Sequence, residues 1–88
     1  MKRNSDFLLR EVADTLVIVP VGKAAVAFSG MITLNATSAF LWELLETEQT
    51  AETLTQALTE RYAVEESKAR EDIDSFLEKL LAIGAVEN

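Results

Sequence analysis

The pattern of hydrophobic and polar positions changes near residue 35. Before it the chain shows short apolar runs rich in β-branched residues; after it apolar residues recur at helical spacing. Residues 7–12 and 15–19 read as two strands around an Ala13-Asp14 turn, a hairpin. Pro20 has no amide proton for a ladder, so it ends the second strand or lies on an edge. Gly22-Lys23 suggests a further reversal, and 24–29 fits a strand or irregular backbone. Gly30 then permits a bend or bulge before a third short strand formed by Met31, Ile32, Thr33 and Leu34.

Asn35 is a natural N-cap, since its side-chain oxygen can accept from free amides in a first helical turn. The first helix is expected over 36–45, with Ala36, Ala39, Phe40 and Leu44 on one face. A polar break at 47–49 precedes Thr50, which caps a second helix marked by Leu54, Leu58 and Tyr62 at i, i+4, i+8. The third helix is expected over 65–83, with Glu65 and Glu66 at its positive N-terminal end and Gly84 just beyond its C-terminus. On a 100° wheel Ala69, Ile73, Phe76 and Leu80 form its apolar centre, and Leu77 and Leu81 widen the stripe to one side. Arg70 and Asp74 lie beside that extension; Asp72 and Lys79 lie on the opposite flank. Ala85 and Val86 allow a brief terminal extension. The expected fold class is α+β: a small winged-helix-like single domain over 1–88, three short N-terminal strands followed by three helices.

Composition narrows the chemistry. The 88 residues include no Cys and no His, which removes disulfides, thiolate metal sites, a cysteine nucleophile and the usual general base. Three glycines make neither a dinucleotide fingerprint nor a phosphate loop. Adjacent carboxylates such as Glu65-Glu66 do not face one another on a helix, so they read as solvated surface. No EF-hand pattern is present, and the serines lack a base partner. Trp42, between Leu41 and Leu44, reads as core. The sequence therefore predicts no enzyme, no cofactor and no metal.

The net charge of −7 opposes binding to phosphate backbones. It is unevenly placed: residues 1–35 sum to +1, and residues 36–88, with twelve acidic and four basic residues, sum to −8. The uncharged run 24–42 is 19 residues long, but Gly30, Asn35 and several hydroxyl residues punctuate it. It reads as structure in a globular protein rather than a membrane span. Without a leader-like h-region, a bacterial-type cytosol is the expected location.

One candidate for function remains, a sheet edge. Natural edges are blunted by charge or proline, and Met31-Ile32-Thr33-Leu34 has neither. If it lies at an edge across from the third helix, the two form a groove that an extended peptide could enter as an added strand. Alternatively the strand is central, or another chain covers it; an unblunted edge also allows a homodimer.

The string Gly30-Met-Ile-Thr-Leu-Asn35, then Ala39-Phe-Leu-Trp-Glu-Leu-Leu45, then Thr50 opening a helix, resembles the PqqD family. So do Tyr62, the run Ala69-Arg-Glu-Asp-Ile-Asp-Ser-Phe-Leu77, and Leu80 to Gly84. The similarity is to the stand-alone PqqD-like branch. It implies a peptide-recognition element that binds the leader of a ribosomally made precursor by β-augmentation, between strand three and helix three. It also implies presentation of the precursor to a modifying enzyme, often a radical-SAM enzyme. Carried onto this chain, the strand is Met31, Ile32, Thr33 and Leu34. The wheel adds Leu77 and Leu81 as apolar contacts and Arg70 and Asp74 as polar ones. Asp72 has an alternative reading as a structural anchor on the helix surface.

The alternative function is a winged-helix regulator of DNA. It needs a basic recognition surface, yet Lys68, Arg70 and Lys79 on the third helix are outnumbered by carboxylates. A third reading is an assembly partner for one enzyme without peptide contact.

Overall fold

Ala13 and Asp14 both adopt left-handed backbone, with φ of 50° and 67°. Two successive positive φ values twist a two-residue loop in the sense that matches paired strands. The turn therefore closes a tight hairpin between β2 (Phe7–Val12) and β3 (Thr15–Pro20), in a register running from Val12↔Thr15 to Phe7↔Pro20. Pro20 ends its strand. The computed structural model describes residues 1–27 and 30–87.

β4 (Ile32–Leu34) pairs antiparallel with β3 through Leu16↔Leu34, Val17↔Thr33 and Ile18↔Ile32, giving the sheet order β2-β3-β4. The strand expected at 31–34 thus begins one residue later, because the ladder stops at Ile18↔Ile32 and Met31 has no partner in β3. Two further two-residue strands were not expected from the pattern. β1 (Lys2–Arg3) and β5 (Val86–Glu87) join the opposite ends of the chain as a separate antiparallel pair. The Arg3 amide also donates to the Leu45 carbonyl at 2.8 Å, and the Gln49 amide donates to the Met1 carbonyl at 2.7 Å. The N-terminal segment is thereby held beside residues 45–49.

Among the described residues the helices number four rather than three. The segment left open between strand and irregular backbone forms α1 (Lys23–Ala27), which packs against β3; residues 28 and 29 of that stretch lie outside the described residues. Its sequence Lys-Ala-Ala-Val-Ala contains the best helix former three times, and Gly22 at φ 58° supplies the left-handed turn before it. The expected three follow as α2 (Ala36–Leu44), α3 (Ala51–Arg61) and α4 (Glu66–Ile83). Asn35 caps α2 by accepting from the Ser38 amide at 2.8 Å. Thr50 and Thr53 close a reciprocal capping box on α3. Gly84, left-handed at φ 77°, ends α4, and the Ala85 amide donates to the Leu80 carbonyl at 2.8 Å. The class is α+β.

The core forms where one face of the sheet meets the helices. Phe7, Ile18 and Leu34 from the strands join Leu41, Trp42 and Leu45. Leu54 and Leu58 meet the α4 stripe Ala69, Ile73, Phe76, Leu77 and Leu80. Trp42 is only 1% exposed, the core position its neighbours predict. Among the described residues no helix is long and apolar enough to cross a membrane.

Candidate functional site

β4 is three residues long and without charge, and its side chains alternate as a strand requires. Leu34 is buried, Ile32 is half-buried and packed against the core, and Thr33 is exposed. Met31, just before it, is 60% exposed. Among the described residues β4 pairs with β3 alone. Successive residues of a strand direct their backbone groups to alternate neighbours, so part of this strand's hydrogen-bonding capacity faces away from β3. The geometry supplies an edge to which one further strand can add.

Leu34 leads directly into the Asn35 cap and the first turn of α2. A recess of 320 Å³ opens there between α2 and α4. Asn35, Thr37, Ser38 and Leu41 form its α2 side; Asp72, Ser75, Phe76 and Lys79 form its α4 side. Leu41 and Phe76 are buried, so the floor is apolar and the rim is polar. The Lys68 ammonium donates to the Asp72 carboxylate at 3.1 Å; that hydrogen bond, with the negative charges of Asp72 and Glu71, raises the Lys68 pKa above the usual lysine value. Among the described residues Lys79 has no ion-pair partner.

The four α4 residues expected from the wheel sit elsewhere. Arg70 lines a different recess, against Glu52, Thr55, Gln56 and Thr59 of α3, and donates to Asp74 at 3.1 Å. Leu77 is 4% exposed, inside the core, and Leu81 is 42% exposed. None of the four lines the recess at the end of β4. The structure brings Met31, Ile32, Thr33 and Leu34 together along one edge and leaves Arg70 and Asp74 on the α3 side of the helix. The recess is lined instead by Ser75 and Phe76 of α4, with Thr37, Ser38 and Leu41 of α2, none of them among the expected peptide contacts. On α4 they follow the opposite wheel flank, marked by Asp72 and Lys79.

Among the described residues no group of three or more carboxylate, His or Cys side chains is placed to hold a metal. What the site offers is backbone pairing along an uncharged edge, with an apolar-floored recess at its end.

Comparison with known proteins bears on this arrangement. The family model described as Coenzyme PQQ synthesis protein D (PqqD) matches residues 15–86. The chain belongs to the PqqD family. The match begins at the first residue of β3 and ends at the first residue of β5, so the PqqD region contains β4, the recess and α1 to α4. A search of curated protein sequences gives no match.

Two solved structures share the PqqD-family fold seen here. One is described as TbiB1 in complex with the TbiA(beta) leader peptide: TM-score 0.77, 22% identity, covering 100% of this chain and 96% of that one. The other is lasso peptide synthetase B1 complexed with the leader peptide: TM-score 0.74, 21% identity, covering 99% and 96%. At such identities the likeness establishes the fold.

Proposed function

We propose that this PqqD-family chain, a single domain over 1–88, is a non-catalytic chaperone for the leader of a ribosomally made precursor peptide. The leader adds to β4 as a fourth strand, and the domain presents the precursor to a modifying enzyme, with a radical-SAM enzyme as the partner class. The observation that carries this reading is the uncharged edge of β4, unpaired among the described residues, which ends beside an apolar-floored recess. Both structural neighbours are complexes with leader peptides, which supports the same reading.

Backbone pairing along Met31–Leu34 supplies sequence-tolerant affinity, and side-chain pockets supply selectivity. In this reading the selectivity rests on Phe76, Ser75 and Lys79 of α4, which line the recess, rather than on Arg70 and Asp74. Leu81 remains the exposed apolar residue on the other flank, and substitution separates the two. The domain works where the precursor is made, in the cytosol.

The DNA-regulator reading loses ground on α4. Lys68 and Arg70 are each neutralised by a carboxylate one turn away, leaving Lys79 as the cation on that helix without an ion-pair partner among the described residues.

The test is a titration of the isotopically labelled protein with the leader of the precursor encoded beside its gene. Amide shifts are expected at Ile32, Thr33 and Leu34 and on α4 near Ser75 and Lys79. A verified cognate leader that leaves the β4 amides unmoved refutes the proposal.

A further inference from the structure

The three-stranded sheet has a second edge, β2, and it too faces a helix. A recess of 910 Å³ lies between the outer side of β2, the β1 segment and the C-terminal half of α2. Phe7 and Leu9 border it from the strand, and Trp42 borders it from the helix. The three are buried or half-buried and belong to the core or pack on it, so the recess has a rigid apolar floor. The Arg3 guanidinium sits 5.8 Å from the centre of the Trp42 ring and donates to the Trp42 carbonyl at 3.3 Å. This cation–π contact fixes one end of the recess. Leu8 and Arg10, exposed on the strand's other face, reach the rim of the recess.

Its charge differs from that of the rest of the molecule. Lys2, Arg3 and Arg10 border it against Glu43 and Glu46, a local balance of +1 on a chain of −7. Among the described residues neither Lys2 nor Arg10 forms an ion pair. β2 is also twice the length of β4, six residues against three.

We infer that β2 is a second docking edge, whose occupant is an extended, acidic and apolar segment of a protein partner. That segment adds to β2 as a strand. On the outer face a carboxylate lies across from Arg10 and an apolar residue across from Leu8; on the inner face apolar residues rest on Leu9 and Trp42. Cross-strand pairs of opposite charge and apolar pairs are the units that stabilise such an addition, and a like charge opposite Arg10 opposes it. Because β2 and β4 are opposite edges of one sheet, both can be occupied together. Building on the proposed chaperone role, β2 is where the enzyme receiving the peptide takes hold.

The probe is a capped synthetic peptide of about seven residues, near the length of a typical strand, with Val or Leu at the inner-face positions and across from Leu8, and Asp across from Arg10. Its counterpart carries Lys in place of Asp. Saturable shifts are expected at the Leu9 and Glu11 amides, which face away from β3, and at the Trp42 indole at peptide concentrations up to about 5 mM, with the Lys peptide binding about threefold or more weakly. Arg10→Glu, an exposed substitution, is expected to reverse that preference. Absence of shifts on β2, shifts confined to Ile32–Leu34, or an unchanged preference in Arg10→Glu overturns the inference. None of these outcomes depends on the leader titration, so failure at one edge is distinguishable from failure at the other.

Discussion

The two edges of the sheet are built on opposite terms. β4 is short, uncharged and tethered at its end to a capped helix; β2 is long, carries Arg10 and Glu11, and ends in a strained turn. Edge charge is a general defence against unwanted pairing, because a mismatched strand must set like charges side by side. An edge with charge is thus selective, and an edge without it is permissive. A permissive edge suits partners that vary in side chains, and a selective one suits a single fixed partner. The same molecule carries both, separated by the width of β3.

The largest expected effect separates the edges by burial. Leu34→Ala empties a core position and is expected to lower stability by about 2–5 kcal/mol, measured by urea denaturation. Val12→Ala, at a residue 53% exposed at the end of β2, is expected to change it by less than about 0.5 kcal/mol. A comparable loss at Val12 would mean that the β2 end is packed as tightly as β4, and the contrast would fail.

The next effect concerns binding. Thr33→Lys places a charge on the exposed face of the permissive edge without touching the core. It is expected to weaken leader binding by about tenfold or more, ~1.4 kcal/mol, by calorimetric titration. Arg10→Glu is expected to leave leader affinity within about twofold. If Arg10→Glu weakens the leader as much as Thr33→Lys does, the two edges are not independent sites.

The ends of the two edges differ by about 1 kcal/mol each in opposite directions. Asn35→Ala deletes the bond to the Ser38 amide and is expected to destabilise by about 1 kcal/mol. Ala13→Gly relieves a side chain held at φ 50° and is expected to stabilise by about 0.5–1 kcal/mol, net of the greater freedom glycine gives the unfolded chain. Thermal melts of the pair check both signs.

These end devices show which parts of the fold the sequence makes legible. Asn35, Thr50 and Gly84 act through their own side chain or lack of one, within a turn of the helix end, and such chemistry reads directly from the residues. The β1–β5 pair depends on Arg3 meeting Val86 from the far end of the chain, which no local pattern encodes. α1 is ambiguous in sequence because its four apolar residues, 24–27, are too few to show a period; alanine propensity with packing on β3 decides it. The strand Ile32–Leu34 and its lack of charge were readable; its place at an edge depends on strand order, which pattern leaves open. The wheel for α4 gave the buried stripe correctly but has two flanks. Nothing along the helix says which one turns toward the start of α2.

That ambiguity leads to the smallest expected effect. The recess at the end of β4 is lined by Lys79, whereas Leu81 lies well away from it on the wheel. Both residues are exposed, so substitution at either leaves the core intact. If a leader leaving β4 passes along the recess, Lys79→Glu changes its electrostatic surroundings and Leu81→Ser does not. Lys79→Glu is expected to shift leader affinity by about threefold, in the direction set by the leader's local charge and diminishing with added salt. Leu81→Ser is expected to shift it by less. The reverse order, with Leu81→Ser the stronger and insensitive to salt, would place the peptide on the α3 side of the helix, and the contacts first expected at Arg70, Asp74 and Leu77 would replace Ser75 and Phe76.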